Sequence, residues 1–82
     1  MTRAQMIERA EELIIDAEEV RDRVEATEPK RVYLAKAVID DLVRAHVTIT
    51  SSPRYTAKVE ATAASYLTRA LLLSQALERP VQ

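Results

Sequence analysis

The chain has 82 residues, of which 48% are apolar and 30% charged, and its formal net charge is −1. These values fit one small globular or bundled helical domain and argue against disorder. Glycine is absent, which disfavours hairpins and phosphate-binding loops because both depend on positive φ angles. Cysteine is also absent, so disulfides and thiolate metal sites are excluded.

Charge is distributed unevenly along the chain. Residues 1–25 carry eight acids and four arginines, whereas residues 26–82 carry five acids and eight bases. No dense basic stripe is present, so we expect no nucleic-acid partner. The longest apolar run, Ala70–Leu73, is far too short to span a membrane, and the N-terminus shows no secretory-signal pattern. We therefore expect a cytoplasmic protein.

The first predicted helix covers residues 3–26. Thr2 and Gln5 form a capping-box pattern at its start. Apolar residues then recur at alternating steps of four and three, which places them on one face: Met6, Ala10, Leu13, Ala17, Val20 and Val24. Ile15 is the exception, because it lies on the opposite, acidic face. It is a candidate contact residue for a partner.

The second predicted helix covers residues 29–49 and follows a break at Glu28-Pro29, where proline suits the first turn of a new helix. The short connection predicts that the first two helices lie antiparallel. The apolar face of the second helix is broad, as expected for a helix with two neighbours. Its central residues are Ala35, Val38, Leu42, Ala45 and Ile49.

The third predicted helix covers residues 53–79, with Ser52 as its N-cap and Pro53 as its first helical residue. Its apolar stripe consists of Val59, Ala63, Tyr66, Ala70, Leu73 and Leu77. Between Ala61 and Leu77 the only charged residue is Arg69. A helix so poor in charge is expected to be covered on more than one side, by the rest of the chain or by another molecule.

These elements predict an all-α, antiparallel three-helix bundle that forms a single domain over residues 1–82. Alanines recur on all three apolar faces and permit close helix approach, while leucine and tyrosine supply bulk. The alternative is a long helical hairpin that dimerises into a larger bundle.

Residues that could carry chemistry are few. His46 is the only histidine, and no acid lies three or four residues from it on the same helix. The adjacent pairs Asp40-Asp41, Glu11-Glu12 and Glu18-Glu19 diverge around their helices, so we interpret them as solvated surface charges. No nucleophile motif or phosphate loop is present. We expect no catalytic residue, metal or cofactor, and hence a protein that is not an enzyme.

The third helix instead suggests a contact surface. Leu67 and Leu71 flank its apolar stripe, and Leu72 lies on the side away from that stripe, where burial within the chain does not readily explain it. We therefore predict that a partner is bound by the following residues: Ile15, Leu67, Arg69, Leu71 and Leu72.

The run Tyr66-Leu67-Thr68-Arg69-Ala70 resembles the Y-L-x-R-A run in the last helix of MIT domains, the three-helix modules of ESCRT-related ATPases and microtubule-severing enzymes. Ala37-Val38 matches a small–aliphatic pair in that family's second helix, so the resemblance covers about half of the chain. The family's D-x-x-G-x-aromatic junction has no counterpart over residues 22–27. The resemblance implies a groove between helices two and three that accepts a short amphipathic helix or extended peptide, with Leu67, Arg69 and Leu71 on its wall.

The leading functional hypothesis is a non-enzymatic protein-interaction module that presents a helical apolar surface to a partner protein. A self-assembling structural bundle, such as a homodimer, is the first alternative. An MIT-like peptide-binding adaptor is the second, and a small enzyme or ligand-binding bundle ranks last. Nine arginines against three lysines are typical of a GC-rich genome, so we expect a small bacterial or phage accessory or regulatory protein.

Overall fold

The computed structural model describes residues 2–79, which form three α-helices and one short 3₁₀ turn. Helix α1 spans Arg3–Thr27, the 3₁₀ turn spans Pro29–Arg31, α2 spans Val32–Ser51 and α3 spans Ala57–Glu78. No strand occurs within these residues. The predicted all-α three-helix bundle is confirmed, and three separate helices exclude the long hairpin as the fold of the single chain.

The start of α1 follows the predicted capping box. The Thr2 hydroxyl accepts a hydrogen bond from the backbone N–H of Gln5 at 3.2 Å, and the Gln5 Oε1 accepts one from the backbone N–H of Thr2 at 2.9 Å. Two N–H groups that have no partner inside the helix are thereby satisfied. At the other end, Pro29 begins a 3₁₀ turn, and the regular part of α2 starts three residues later than predicted.

The predicted start of α3 is wrong. Ser52 is the C-cap of α2 and Pro53 is not helical; the N-cap of α3 is Thr56, whose hydroxyl accepts a hydrogen bond from the Val59 N–H at 3.2 Å. Helix α2 extends to Ser51, and four hydroxyls near its end donate to backbone carbonyls within the preceding turn: Thr48, Thr50, Ser51 and Ser52.

The core follows the predicted apolar faces of all three helices. Every buried apolar residue belongs to one of them: Met6, Ala10, Ala17, Val24, Ala35, Val38, Leu42, Ala45, Ile49, Ala63, Ala70 and Leu77. Half of these residues are alanines, so the core is narrow and depends on close backbone approach. Each large side chain that is fully buried contributes about 1.5–3 kcal/mol, which makes residues such as Ile49 important for stability.

Helix α2 is central, because α1 and α3 both pack against it and approach each other much less closely. Met6 clusters with Ile49 and Ala63 at one end of the bundle, and Val24 clusters with Leu77 at the other. Helices α1 and α3 are therefore parallel to each other and antiparallel to α2. This arrangement leaves a groove between α1 and α3, with α2 as its floor.

Two arginines connect the ends of neighbouring helices. The Arg3 Nη2 donates to the carbonyl oxygens of Ile49 and Ser52 at 2.9 and 2.5 Å, at the end of α2. The Arg31 Nη2 donates to the carbonyl oxygens of Ala76 and Leu77 at 2.9 and 2.8 Å, at the end of α3. The last carbonyls of a helix lack intrahelical donors and carry partial negative charge. A guanidinium supplies both hydrogen-bond donors and a positive charge at that position.

Tyr55 lies in the loop before α3 and packs against the cluster around Ile49. Its hydroxyl is buried and has no hydrogen-bond partner among the described residues. This burial, together with the charge of the nearby Glu60 carboxylate, raises the pKa of Tyr55 above its ordinary value. The ring contributes apolar contact to the core, and its hydroxyl lies near the Glu60 carboxylate.

Candidate protein-interaction groove

The groove between α1 and α3 encloses about 430 Å³ and is lined mainly by apolar side chains from all three helices. Leu13 and Val20 extend from α1, Leu67 and Leu71 extend from α3, and Val38 lies on the floor. We refer to this space as the α1–α3 groove. Its complete apolar lining is Met6, Leu13, Ala17, Val20, Ala35, Val38, Leu42, Leu67, Ala70, Leu71 and Leu77.

The residues on the two walls are only partly covered by the chain. Leu13, Val20 and Leu67 are half-buried, and Leu71 is 58% exposed. Apolar surface left in water at a concave site is typical of a binding groove, because a partner that covers it gains hydrophobic free energy. The α1–α3 groove therefore has the physical character of a docking site.

Charged residues follow the α1 wall of the groove. Arg9, Asp16 and Arg23 occur seven residues apart, so they share one side of the helix. Arg9 Nη1 lies 3.7 Å from Glu12 Oε2 in an exposed pair, an interaction that contributes little. Asp16 and Arg23 form no ion pair with any other residue between 2 and 79. Their charges are available to a molecule in the groove.

The adjacent residues Leu71 and Leu72 differ in their relation to the groove. They are 58% and 59% exposed, but only Leu71 lines it. Consecutive helical residues are about 100° apart, so Leu72 lies on the outer face of α3. The two positions thus combine equal exposure with different surroundings, which makes them a matched pair for experiment.

Of the five residues predicted to bind a partner, the structure brings two into the groove, Leu67 and Leu71. Ile15 is 58% exposed on the outer, acidic face of α1, and Leu72 is on the outer face of α3. Arg69 lies on the other side of α3, next to Asp41 of α2. The five predicted residues therefore lie on several faces of the isolated chain, and their role in binding a partner stays a prediction.

The location of the groove also differs from the one that the MIT resemblance implies. Leu67 and Leu71 line the space between α1 and α3, whereas the resemblance places them between helices two and three. Helix α2 is in close contact with both of its neighbours, so the open space lies between the two helices that contact each other least. The chain itself covers the charge-poor α3 mainly on the face toward α2.

Asp41 is the residue for which the sequence interpretation was wrong. It was expected among solvated charges, but it is only 3% exposed, and its Oδ2 lies 3.8 Å from the Nε of Arg69. Asp41 adjoins the seam residue Leu42 on the side of α2 that faces α3. The available signal was Arg69 itself, because a single charge in the middle of an apolar helix, here with a side chain that is 60% exposed, is the group that an acid on the neighbouring helix can approach.

His46 has a partner that local spacing could not reveal. Its Nε2 lies 3.2 Å from the Oε1 of Glu11, so the contact joins α2 to α1 at the edge of the bundle. Within residues 2–79, no three histidine, aspartate or glutamate side chains are grouped so that they could hold a metal ion. The pair connects two helices and lies outside the groove lining.

No protein-family model, curated protein or solved structure matches this chain. None of the helices in the described part of the chain combines the length and apolar character needed to cross a bilayer. A function for this chain is therefore inferred from the geometry of the α1–α3 groove.

Proposed function

We propose that this protein is a non-enzymatic interaction module whose α1–α3 groove receives an amphipathic helix from a partner protein. The observation that carries the proposal is the groove of about 430 Å³, lined by apolar side chains of all three helices and left open by the chain. Helix-in-groove recognition uses an apolar stripe on one partner and an apolar trough with a polar rim on the other. The α1–α3 groove has both the apolar lining and the polar rim.

The dimensions of the groove suit one helix. Its α1 wall extends from Met6 to Arg23, which corresponds to about 25 Å of helix or nearly five turns. The two walls are parallel helices and the floor is a third, so a fourth helix would complete a four-helix arrangement. Such a helix would bury Leu71 and the half-buried leucines and valine on both walls.

Self-assembly, the first alternative, has less support. The large exposed apolar residues outside the groove are distributed over all three helices, namely Ile15 on α1, Tyr33, Val43 and Val47 on α2, and Leu72 on α3. Scattered apolar residues of this kind are ordinary on protein surfaces. An MIT-like adaptor agrees with helix binding in general, although its implied groove is elsewhere. On compositional grounds we propose a bacterial or phage accessory protein that acts in the cytoplasm.

Leu71→Glu and Leu72→Glu provide the test of the groove. A displayed library of random amphipathic helical peptides is selected against the wild-type chain, and recovered peptides are synthesised and titrated by fluorescence anisotropy. A carboxylate at Leu71 would lie in the apolar lining, so binding should weaken at least tenfold, which corresponds to about 1.4 kcal/mol. The same change at Leu72 should leave affinity within about twofold.

Circular dichroism and thermal unfolding establish that both variants fold, as expected for substitutions at exposed positions. The proposal would be abandoned if no helical peptide is enriched on the wild-type chain. It would also be abandoned if Leu71→Glu and Leu72→Glu weaken binding equally. Loss of binding with Leu72→Glu alone would transfer the contact surface to the outer face of α3.

A further inference from the structure

The charges on the α1 wall alternate in sign along the groove. Arg9, Asp16 and Arg23 are spaced by seven residues, or about 10 Å per step, in the order positive, negative, positive. The α3 wall is different, since Leu67, Leu71 and Ser74 are uncharged and only Glu78 adds a charge, at the end near Arg23. The groove therefore has one charged wall and one nearly neutral wall.

A helix that lies along α1 presents residues i, i+7 and i+14 to that wall. Opposite charges at these positions would fix the register of the bound helix, and like charges would weaken the complex. We propose that the α1–α3 groove selects a helix whose flank toward α1 carries an acid, a base and an acid at three successive positions seven residues apart. This inference rests on the proposed function, because it specifies the partner that the same groove receives.

The charge order identifies the occupant as a helix of another protein. No position in the 82-residue sequence has an acid followed by a base seven residues later and an acid fourteen residues later. If a second copy laid its α1 antiparallel in register, Arg9 would face Arg23 and Asp16 would face Asp16, which is repulsive. A second copy therefore lacks the flank that the α1 wall requires, whereas a separate amphipathic helix can supply it.

The test compares the wild-type chain with the triple variant Arg9→Glu/Asp16→Lys/Arg23→Glu in the same peptide selection. The expected result is enrichment of acid–base–acid flanks on the wild-type chain and of base–acid–base flanks on the variant, with the same apolar seam on both. Two peptides with opposite flanks should each prefer the matched protein by about tenfold, the sum of three exposed ion pairs. This preference should shrink as ionic strength rises.

Thermal unfolding shows whether the triple variant folds; if it does not, Asp16→Lys alone replaces it and should invert only the central position. The proposed charge preference is overturned if both proteins enrich peptides with the same charged flanks, or if the two peptides bind both proteins equally. Those outcomes leave the proposed function intact, because helices still bind. If neither protein enriches any helix, or Leu71→Glu does not weaken the binding, the proposed function itself fails.

Discussion

Arg3 and Arg31 have equivalent positions in the fold, since each lies near the start of one helix and binds the end of the next. In an antiparallel bundle these ends are adjacent, so one guanidinium can donate to two carbonyls at the end of the neighbouring helix. Arg31 is the more enclosed example, with a side chain only 18% exposed and Glu28 3.4 Å from its Nη1. It links the 3₁₀ turn, α2 and the end of α3.

Arg31→Met is expected to destabilise the chain by about 1–2 kcal/mol, because it removes two charge-assisted hydrogen bonds to carbonyls at the end of α3. Thermal and urea unfolding measure the loss, which for a domain of this size amounts to about 4–8 °C per kcal/mol. Arg44→Met is the control, since Arg44 is exposed and its side chain has no hydrogen bond among the described residues. Equal melting temperatures for the two variants would show that the Arg31 contact contributes nothing.

Two residues could serve as the N-cap of α3, Ser52 and Thr56, and the structure uses Thr56. Ser52-Pro53 has the residues that usually begin a helix, but Thr56 has the extended backbone and the hydroxyl contact. The Ser52 hydroxyl donates to the Thr48 carbonyl at the end of α2, and that helix extends as far as Ser51. Ser52 therefore ends α2 and does not begin α3.

Thr56→Ala should reduce stability by about 1 kcal/mol, because the Val59 N–H loses its acceptor at the helix start. Thr62→Ala is the matched control within α3, where the hydroxyl only donates back to the Lys58 carbonyl and alanine is the better helix former. It should be neutral or slightly stabilising in the same urea titration. A Thr56→Ala variant as stable as Thr62→Ala would show that the cap does not stabilise α3.

Periodicity predicted the elements well because it depends on local spacing alone. Among residues 2–79, the twelve buried apolar residues all belong to faces that the four-and-three spacing identifies. Contacts between helices were not predicted in the same way, since Asp41 with Arg69 and His46 with Glu11 pair residues 28 and 35 positions apart. The location of the groove was missed for the same reason: Leu71 is visible in the sequence, but which helix it faces depends on how the three helices pack.

The bundle is elongated, measures 44 × 19 × 17 Å and is arranged around α2. A chain of 82 residues buries a limited fraction of its surface, and here alanines occupy half of the buried apolar positions. Stability in such a molecule is modest, and a bound helix that covers the α1–α3 groove would add to it directly by mass action. The open groove is thus both the proposed binding surface and a part of the core that the chain leaves partly exposed.

The two leading hypotheses differ in how stability depends on concentration. If the groove is reserved for a helix of another protein, the melting temperature of the chain alone should not change over a roughly hundredfold range of protein concentration. A self-assembling bundle would gain stability with each increase, because association removes folded monomer from the unfolding equilibrium. Sedimentation equilibrium over the same range should give the monomer mass of 9.2 kDa for the wild-type chain and for Leu71→Glu. A melting temperature that rises with concentration and falls back in Leu71→Glu would mean that the groove is occupied by a second copy, and the proposed partner helix would be rejected.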